Sequence, residues 1–305
     1  MHIKKILNIR QTQSESLGGW LMSLPAVLGL ALFMAFPFLL AIGLSFTNLR
    51  MGSPLPTRFI GFEAYQRVLT DPSFLRALMN NGLFALIVVP LQTVLALGLA
   101  LFLNQKFKGI MFFRTLFFMP VVFPLSLVSV VWILMYAPGA DGMINAFLQF
   151  ISFGQISPQD FLHNPYLALP AIMLCSIWQG VGFQMVILLA GLQSIPDVLY
   201  EAAEIDRANR WQKFVHVTLP QLRNPLIFTA LVTTILAFRV FDQVEIMTQG
   251  GPNGASTTVM YETVQTIFNR QQVGQSSAMT VIFFILVLVI TLVQRSVAKQ
   301  EREIE

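Results

Sequence analysis

Six stretches of the chain are apolar with little regard to helix face: residues 20–46, 83–103, 112–136, 167–192, 226–247 and 276–293. A bilayer with a hydrocarbon core of about 30 Å is crossed by about 20 residues of helix, so each stretch is long enough to span it. The pattern predicts an all-α integral membrane protein of six transmembrane helices. Pro25, Pro37, Pro90, Pro120 and Pro124 fall inside these stretches. Such kinks are tolerated where neighbouring helices satisfy the freed backbone groups, which implies a packed bundle.

Composition agrees: 55% of residues are hydrophobic and only 11% charged, against about 25% charged in soluble domains. Lys4, Lys5, Arg10, Lys106, Lys108, Arg114, Arg207, Arg210, Lys213, Arg223, Arg295, Lys299 and Arg302 fall on one side of the expected spans. Arg50, Arg58, Arg67, Arg76 and Arg270 fall on the other. The positive-inside rule places the first group, and both termini, in the cytoplasm. The expected organisation is a cytoplasmic segment 1–19, a membrane domain 20–294 and a cytoplasmic tail 295–305, with a polar loop 197–221 between the fourth and fifth spans. The net charge of +4 is this topological bias and carries no nucleic-acid reading.

The first apolar stretch is too long for a cleaved signal and lacks a small-x-small site at a suitable distance, so it is expected to remain as a span. Before it, "MHIKKILNIR" fits either a segment lying on the inner membrane surface or a basic tail. The single cysteine, Cys175, excludes an internal disulfide. There is no G-x-x-x-x-G-K-[ST] loop for ATP. His2, His163 and His216 are scattered without metal-ligand spacing, and Ser176 lies in no G-x-S-x-G context. Neither an enzyme nor a bound metal or cofactor is expected.

The polar loop contains "YEAAEIDRANRWQKFVHVTLP". Pro196 and Asp197 suit the start of a short helix, on which Val198, Ala202 and Ile205 share one face and Glu201 and Glu204 another. Asn209 suits the cap of a second helix with Trp211, Phe214, Val215 and Leu219 as apolar positions and Pro220 as its end. A solvated loop anchored at the interface by Trp211 fits the same letters.

Glu201, Ala202 and Ala203, followed by Asp206, Ala208, Phe214, Leu219 and Pro220, resemble the EAA motif of the permease subunits of bacterial ABC importers. "FIGFEAYQRVLTDPSFLRALMNN", "LALFLNQKFKGIMFFRTLFFMPVVFP", "IWQGVGFQMVILLAGLQSIPDVLYEAA" and "FDQVEIMTQGGPNGAST" resemble the carbohydrate branch of that family. That branch handles maltose, other oligosaccharides, glycerol phosphate and related polyols. The resemblance implies a multi-pass protein of the bacterial inner membrane with the type I importer fold, passing a sugar or polyol. It implies that Glu201 makes a charged contact to an ATPase subunit and that Ala202 and Ala203 permit close approach. Asp206, Arg207, Leu219 and Pro220 complete the coupling set.

Arg207 stands where the family usually has glycine. Either the turn is built in the right-handed region, which is the expectation here, or Arg207 accepts the strain of a positive φ.

The resemblance also places the substrate pathway between the fourth and fifth spans. It brings forward Ser176, Gln179, Gly180 and Phe183 on one, and Thr233, Ala237, Arg239 and Val240 on the other, and the charge of Asp242 within the fifth stretch adds it to this set. Gln179 and Phe183 would combine a hydrogen-bonding amide with an aromatic platform. A continuous helix from Leu226 would carry Arg239 about 20 Å and Asp242 about 24 Å inward. Three residues apart, the two would form a structural pair or a polar lining.

Partners implied by the resemblance are a second permease subunit, two copies of an ABC ATPase holding ATP and Mg, and a periplasmic or lipid-anchored solute-binding protein, with membrane lipids around them. The binding protein would land on the outside loops 48–76, 137–165 and 248–275. An ion-coupled secondary transporter is the rival class, and the coupling segment speaks against it.

Overall fold

The structure, a computed structural model, describes residues 20, 22–54, 56–105, 107–140 and 142–300, the side chains of 297–300 excepted. Lys4, Lys5, Arg10, Lys106 and Arg302 lie outside the described residues, as do the basic segment before the first span and the end of the tail. Regular structure among the described residues is helical apart from one isolated bridge between Thr47 and Phe59.

In chain order the helices are α1 Met22–Leu44, α2 Glu63–Thr70, α3 Pro72–Leu103, α4 Ile110–Val122, α5 Leu125–Met135, α6 Met143–Ile151 and α7 Ala168–Gln193. They continue as α8 Asp197–Ile205, α9 Arg210–Gln221, α10 Arg223–Phe238, α11 Asp242–Met247, α12 Val259–Phe268 and α13 Val273–Gln300. Among the described residues four helices are each long and apolar enough to cross a membrane, and two bent pairs, α4 with α5 and α9 with α10, raise the number to six if each pair is one span.

The chain forms two units, one reaching Val68 and including Thr266–Ile282, the other made of Leu69–Gln265 and the remainder of α13. In the first, α1 leads into a turn whose buried Ser45 hydroxyl lies 2.6 Å from Tyr65 Oη, while Met51 N–H donates to Gln271 O at 2.9 Å. The apolar window of α1 is 0% buried, so its leucines and phenylalanines face outward.

The second unit is built on α3 and α7, with α4 and α10 packed against them. The third-to-fourth-residue rhythm of Ala77, Asn81, Ala85, Val88, Gln92, Ala96 and Ala100 makes the buried stripe of α3. Apart from Phe74, Phe84, Val88 and Leu103, which are buried with it, the stripe is made of small or polar residues. Small residues let helices approach closely where lipid gives no hydrophobic drive to association. Gly182 shows how close: a Cβ there would run into the carbonyl oxygen of Phe117, so α4 and α7 touch backbone to backbone.

Several sequence-derived boundaries shift. The second span starts at Pro72 instead of Leu83, because Asp71 caps it by accepting from Ser73 N at 2.9 Å and Pro72 fits the first turn. The third stretch is not one helix. Phe123 is extended at φ −80° and ψ 140°, as a residue before proline prefers, and the chain turns by 101° there.

The fifth stretch also breaks. Its helix ends at Phe238, and Arg239, Val240 and Phe241 separate it from α11. Arg239 and Asp242 therefore do not share a helix face, and no ion pair joins them among the described residues. Instead the cation sits at a carboxyl end and the anion at an amino end, each favoured by its own helix dipole.

Fully buried Asn81 holds this break. Its Nδ2 lies 3.4 Å from the carbonyls of both Ala237 and Phe238, and its Oδ1 accepts from Val259 N at 2.7 Å. Thr258 Oγ1 donates to Val240 O at 3.0 Å. On the same helix, Arg76 donates to the carbonyl of Asn253, and Asn80, beside Asn81, donates to those of Gly254 and Thr257. Asn81→Leu leaves the Val259 N–H buried without an acceptor, and a loss of about 1–3 kcal/mol in stability is expected. Thermal unfolding of the purified chain in detergent reads it. An unchanged midpoint would show that the break holds without Asn81.

Candidate functional site

The polar loop folds as two helices joined by a tight turn. Helix α8 follows Pro196 and ends in a Schellman arrangement: Arg207 N–H donates to Glu204 O at 2.9 Å and Ala208 N–H to Ala203 O at 2.9 Å. Arg207 occupies the left-handed position at φ 55°. The expectation of a right-handed turn is thus overturned. Closing both terminal hydrogen bonds requires positive φ at this residue, whatever side chain it carries.

Helix α9 opens on a capping box, in which Asn209 Oδ1 accepts from Gln212 N at 2.9 Å and Gln212 Oε1 accepts from Asn209 N at 2.8 Å. It continues past Pro220 to Gln221 rather than stopping there. A π turn over Phe214–Thr218 widens the backbone just before the proline, where an α-helical carbonyl would meet its ring. The chain then bends by 65° into α10.

Two contacts tie α8 to α9: Lys213 Nζ donates to Glu204 Oε1 at 2.7 Å, and the Tyr200 and Thr218 hydroxyls lie 2.9 Å apart. The hydrogen bond and charge of Lys213 hold the Glu204 carboxyl below its ordinary range. The two glutamates therefore differ. Glu204 braces the helix pair, while Glu201 is exposed and makes no ion pair or side-chain hydrogen bond within the described residues. Ala202, Asp206, Arg207, Leu219 and Pro220 are exposed with Glu201, and Ala203 is half-buried. Val198 and Ile205 are also exposed, at 69% and 83%, so α8 presents an apolar stripe beside its free carboxylate.

At the α10–α11 break lies a cavity of about 260 Å³. It brings together Ser176, Gln179, Gly180, Thr233, Ala237, Arg239, Val240 and Asp242. Phe183 does not line it. That residue is 40% exposed, and the aromatic walls come instead from Phe84 and Phe241. Sequence reasoning also missed Gln92 on α3 and Gln243 on α11. Glutamines inside a membrane stretch are the available signal, since a buried amide needs partners.

Ser176 Oγ donates to Gln243 Oε1 at 2.8 Å, linking α7 to α11. The Gln184 amide donates to Thr233 Oγ1, linking α7 to α10, and Gln184 Oε1 is buried without a partner. Gly180 leaves room for Gln92: a Cβ there would lie 2.5 Å from Gln92 Nε2. The lining is a set of amides and hydroxyls between aromatic walls, with one exposed cation and one exposed anion. Among the described residues no cluster of His, Cys, Asp and Glu is arranged to hold a metal.

An exposed lever of two short helices and a polar cavity at a broken span are features of a transport subunit. The chain belongs to the binding-protein-dependent transport system inner membrane component family, whose pattern matches residues 92–303. It is 34% identical over 286 residues to the trehalose/maltose transport system permease protein MalF of Thermococcus litoralis, covering 93% of this chain and 95% of that one. It is also 34% identical over 271 residues to the sulfoquinovosyl glycerol transport system permease protein SmoG of Agrobacterium fabrum, covering 88% and 86%. A chain of the bacterial alginate ABC transporter, solved in complex with its alginate pentasaccharide-bound periplasmic protein, matches with a TM-score of 0.82 at 19% identity over 95% of this chain and 96% of that one. That likeness is one of fold. The protein is a permease subunit of an ABC importer, a membrane-embedded transporter component and not an enzyme.

Two outcomes test the turn. A left-handed conformation costs a non-glycine residue about 1–2 kcal/mol, so Arg207→Gly is expected to raise thermal stability and β-branched Arg207→Val to lower it. The reverse order would show that a contact of the Arg207 side chain outweighs the strain. Because folding lowers the Glu204 pKa, its tie to Lys213 contributes above the unfolded value of about 4.3 and is lost as pH falls through the lower folded value. Amide-exchange protection at Arg207 and Ala208 should fall over that window in the parent chain but not in Glu204→Gln.

Proposed function

We propose that this chain forms half of a transmembrane pathway for a sugar or related polyol, driven by ATP hydrolysis on separate subunits. The single observation carrying this reading is the braced α8–α9 pair, which leaves Glu201 and the Val198, Ala202 and Ile205 stripe outward. A rigid, exposed, partly apolar projection suits a groove on a partner. Glu201 supplies the charged contact there, Ala202 and Ala203 let the surfaces close, and Asp206, Arg207, Leu219 and Pro220 set the angle of the lever. Motion of this lever reaches the cavity through α10, which follows α9 directly.

In this reading each bent pair counts as one span, both termini are cytoplasmic, and the polar loop faces the cytoplasm of an inner membrane. A second permease subunit closes the other side of the pathway. Two ATPase copies holding ATP and Mg dock below, and a solute-binding protein delivers substrate from outside. The names of the trehalose/maltose and alginate systems support a carbohydrate cargo.

Sugars are recognised by directed hydrogen bonds beside aromatic faces. Gln92, Gln179, Ser176 and Thr233 supply the first, and Phe84 and Phe241 the second. The cavity of about 260 Å³ is close to the lower end of small-molecule sites, so it fits one ring-sized unit at a time. Arg239 alone would favour glycerol phosphate, but Asp242 in the same cavity offsets it and supports a neutral cargo.

Glu201→Lys reverses the charge at the docking point. In proteoliposomes holding the complete importer it is expected to cut binding-protein-stimulated ATP hydrolysis and sugar uptake together by about thirtyfold or more, the lower end for a truncated buried ion partner. Undiminished uptake in the variant, or uptake by the chain without ATPase subunits, would overturn the proposal.

A further inference from the structure

A second concavity, of about 570 Å³, opens at the end of the bundle that carries the α8–α9 pair, where α3 ends, α4 begins and α7 ends. Its charged lining residues are Lys108 and Arg114, accompanied by the amides of Asn104, Gln105 and Gln193. No Asp or Glu lines it, and none occurs in the sequence between Asp71 and Asp141. Neither cation takes part in an ion pair among the described residues.

Arg114 Nη2 donates to Leu103 O at 2.9 Å at the carboxyl end of α3, which fixes the guanidinium in place. Its Nε is buried and has no hydrogen-bond partner among the described residues. Lys108 is exposed. The cavity thus holds two positive charges, uncompensated donors and no protein anion.

Beside it stands a cluster of phenylalanine rings. Phe107 lies 5.7 Å from Phe102 and 5.9 Å from Phe113, and Phe112 lies 5.7 Å from Phe113. Phe102, Met111 and Phe112 are 46%, 70% and 66% exposed, so the cationic basin borders an open apolar surface. One ligand chemistry matches both halves: a phosphate joined to acyl chains.

We propose that this basin binds the headgroup of an anionic phospholipid. Lys108 and Arg114 neutralise the phosphate, the side-chain amides of Asn104, Gln105 and Gln193 donate to its oxygens, and the acyl chains run along Phe102 and Phe112. Basic pockets between helices on the cytoplasmic side are suited to such headgroups. The site is independent of which solute the pathway carries and lies apart from the cavity at the α10–α11 break.

The test is native mass spectrometry of the full purified chain with phosphatidylglycerol, with zwitterionic phosphatidylcholine, and with inorganic phosphate alone. One phosphatidylglycerol is expected to be retained in preference to phosphatidylcholine. Lys108→Gln should weaken it about fivefold, the effect of one basic residue at an anionic surface. Arg295→Gln, which removes the same charge outside the basin, should leave retention unchanged. Arg114→Gln should weaken it further. If that variant fails to fold, Lys108→Gln set against Arg295→Gln decides alone. Equal retention of the two lipids, or equal loss in Lys108→Gln and Arg295→Gln, would overturn the proposal. Competition by inorganic phosphate as strong as that of phosphatidylglycerol would also overturn it, showing a soluble-anion site.

Discussion

A backbone that stops being helical inside a membrane must find partners for its freed carbonyl and amide groups, because lipid offers none. Much of the second unit depends on how this is met at residues 239–241. Asn81 takes the carbonyl end of α10 and the first amide of α12, and Thr258 takes the carbonyl of Val240. Once these groups are satisfied, the fifth apolar stretch can bend away from a straight path. That bend exposes Arg239, Asp242 and Gln243 to one cavity rather than stacking them along a helix. A hydrogen-bonding solution on α3 is therefore the condition for a polar space between α7 and α10.

The polar loop of α8 and α9 solves a different problem, which is to stay rigid while exposed. It has almost no apolar core of its own, so its stiffness comes from local hydrogen bonds: the Schellman closure, the capping box, the Glu204 to Lys213 tie and the Tyr200 to Thr218 contact. The π turn ahead of Pro220 lets the helix carry on to the bend at α10 without meeting the proline ring. These bonds leave Glu201 out, which is what separates the surface residue from the bracing one. Arg207 bears the positive φ that closes the turn, and its side chain projects from the apex into solvent.

The apolar lengths, the proline positions and the EAA pattern were all legible in the linear order of residues. They led to a helical membrane protein of the ABC importer permease family, and the family match agrees. Eight of the nine proposed pathway residues meet in one cavity, and Phe183 does not. Gln92 escaped notice because it belongs to a different span, and nothing local marks which lipid-bounded helix will lie opposite. Hydrophobic periodicity, the usual guide to a buried face, is weak here because the lipid-facing side of α3 is as apolar as its packed side. The packed side is distinguished instead by alanines, Asn81 and Gln92.

By itself the sequence determined the features set by length, composition and local chemistry: helices long enough for a bilayer, the cap at Asn209, and the motif that identifies the family. Tertiary structure alone decided the break after Phe238, the partition of Glu201 from Glu204, and the left-handed state of Arg207. It also decided which amides face the cavity and which cations share the basin at the end of α3. These outcomes depend on groups far apart in the chain, or on closing hydrogen bonds whose geometry no single residue prefers. In a lipid solvent such polar pairings, rather than the hydrophobic effect, choose between otherwise equivalent helix faces.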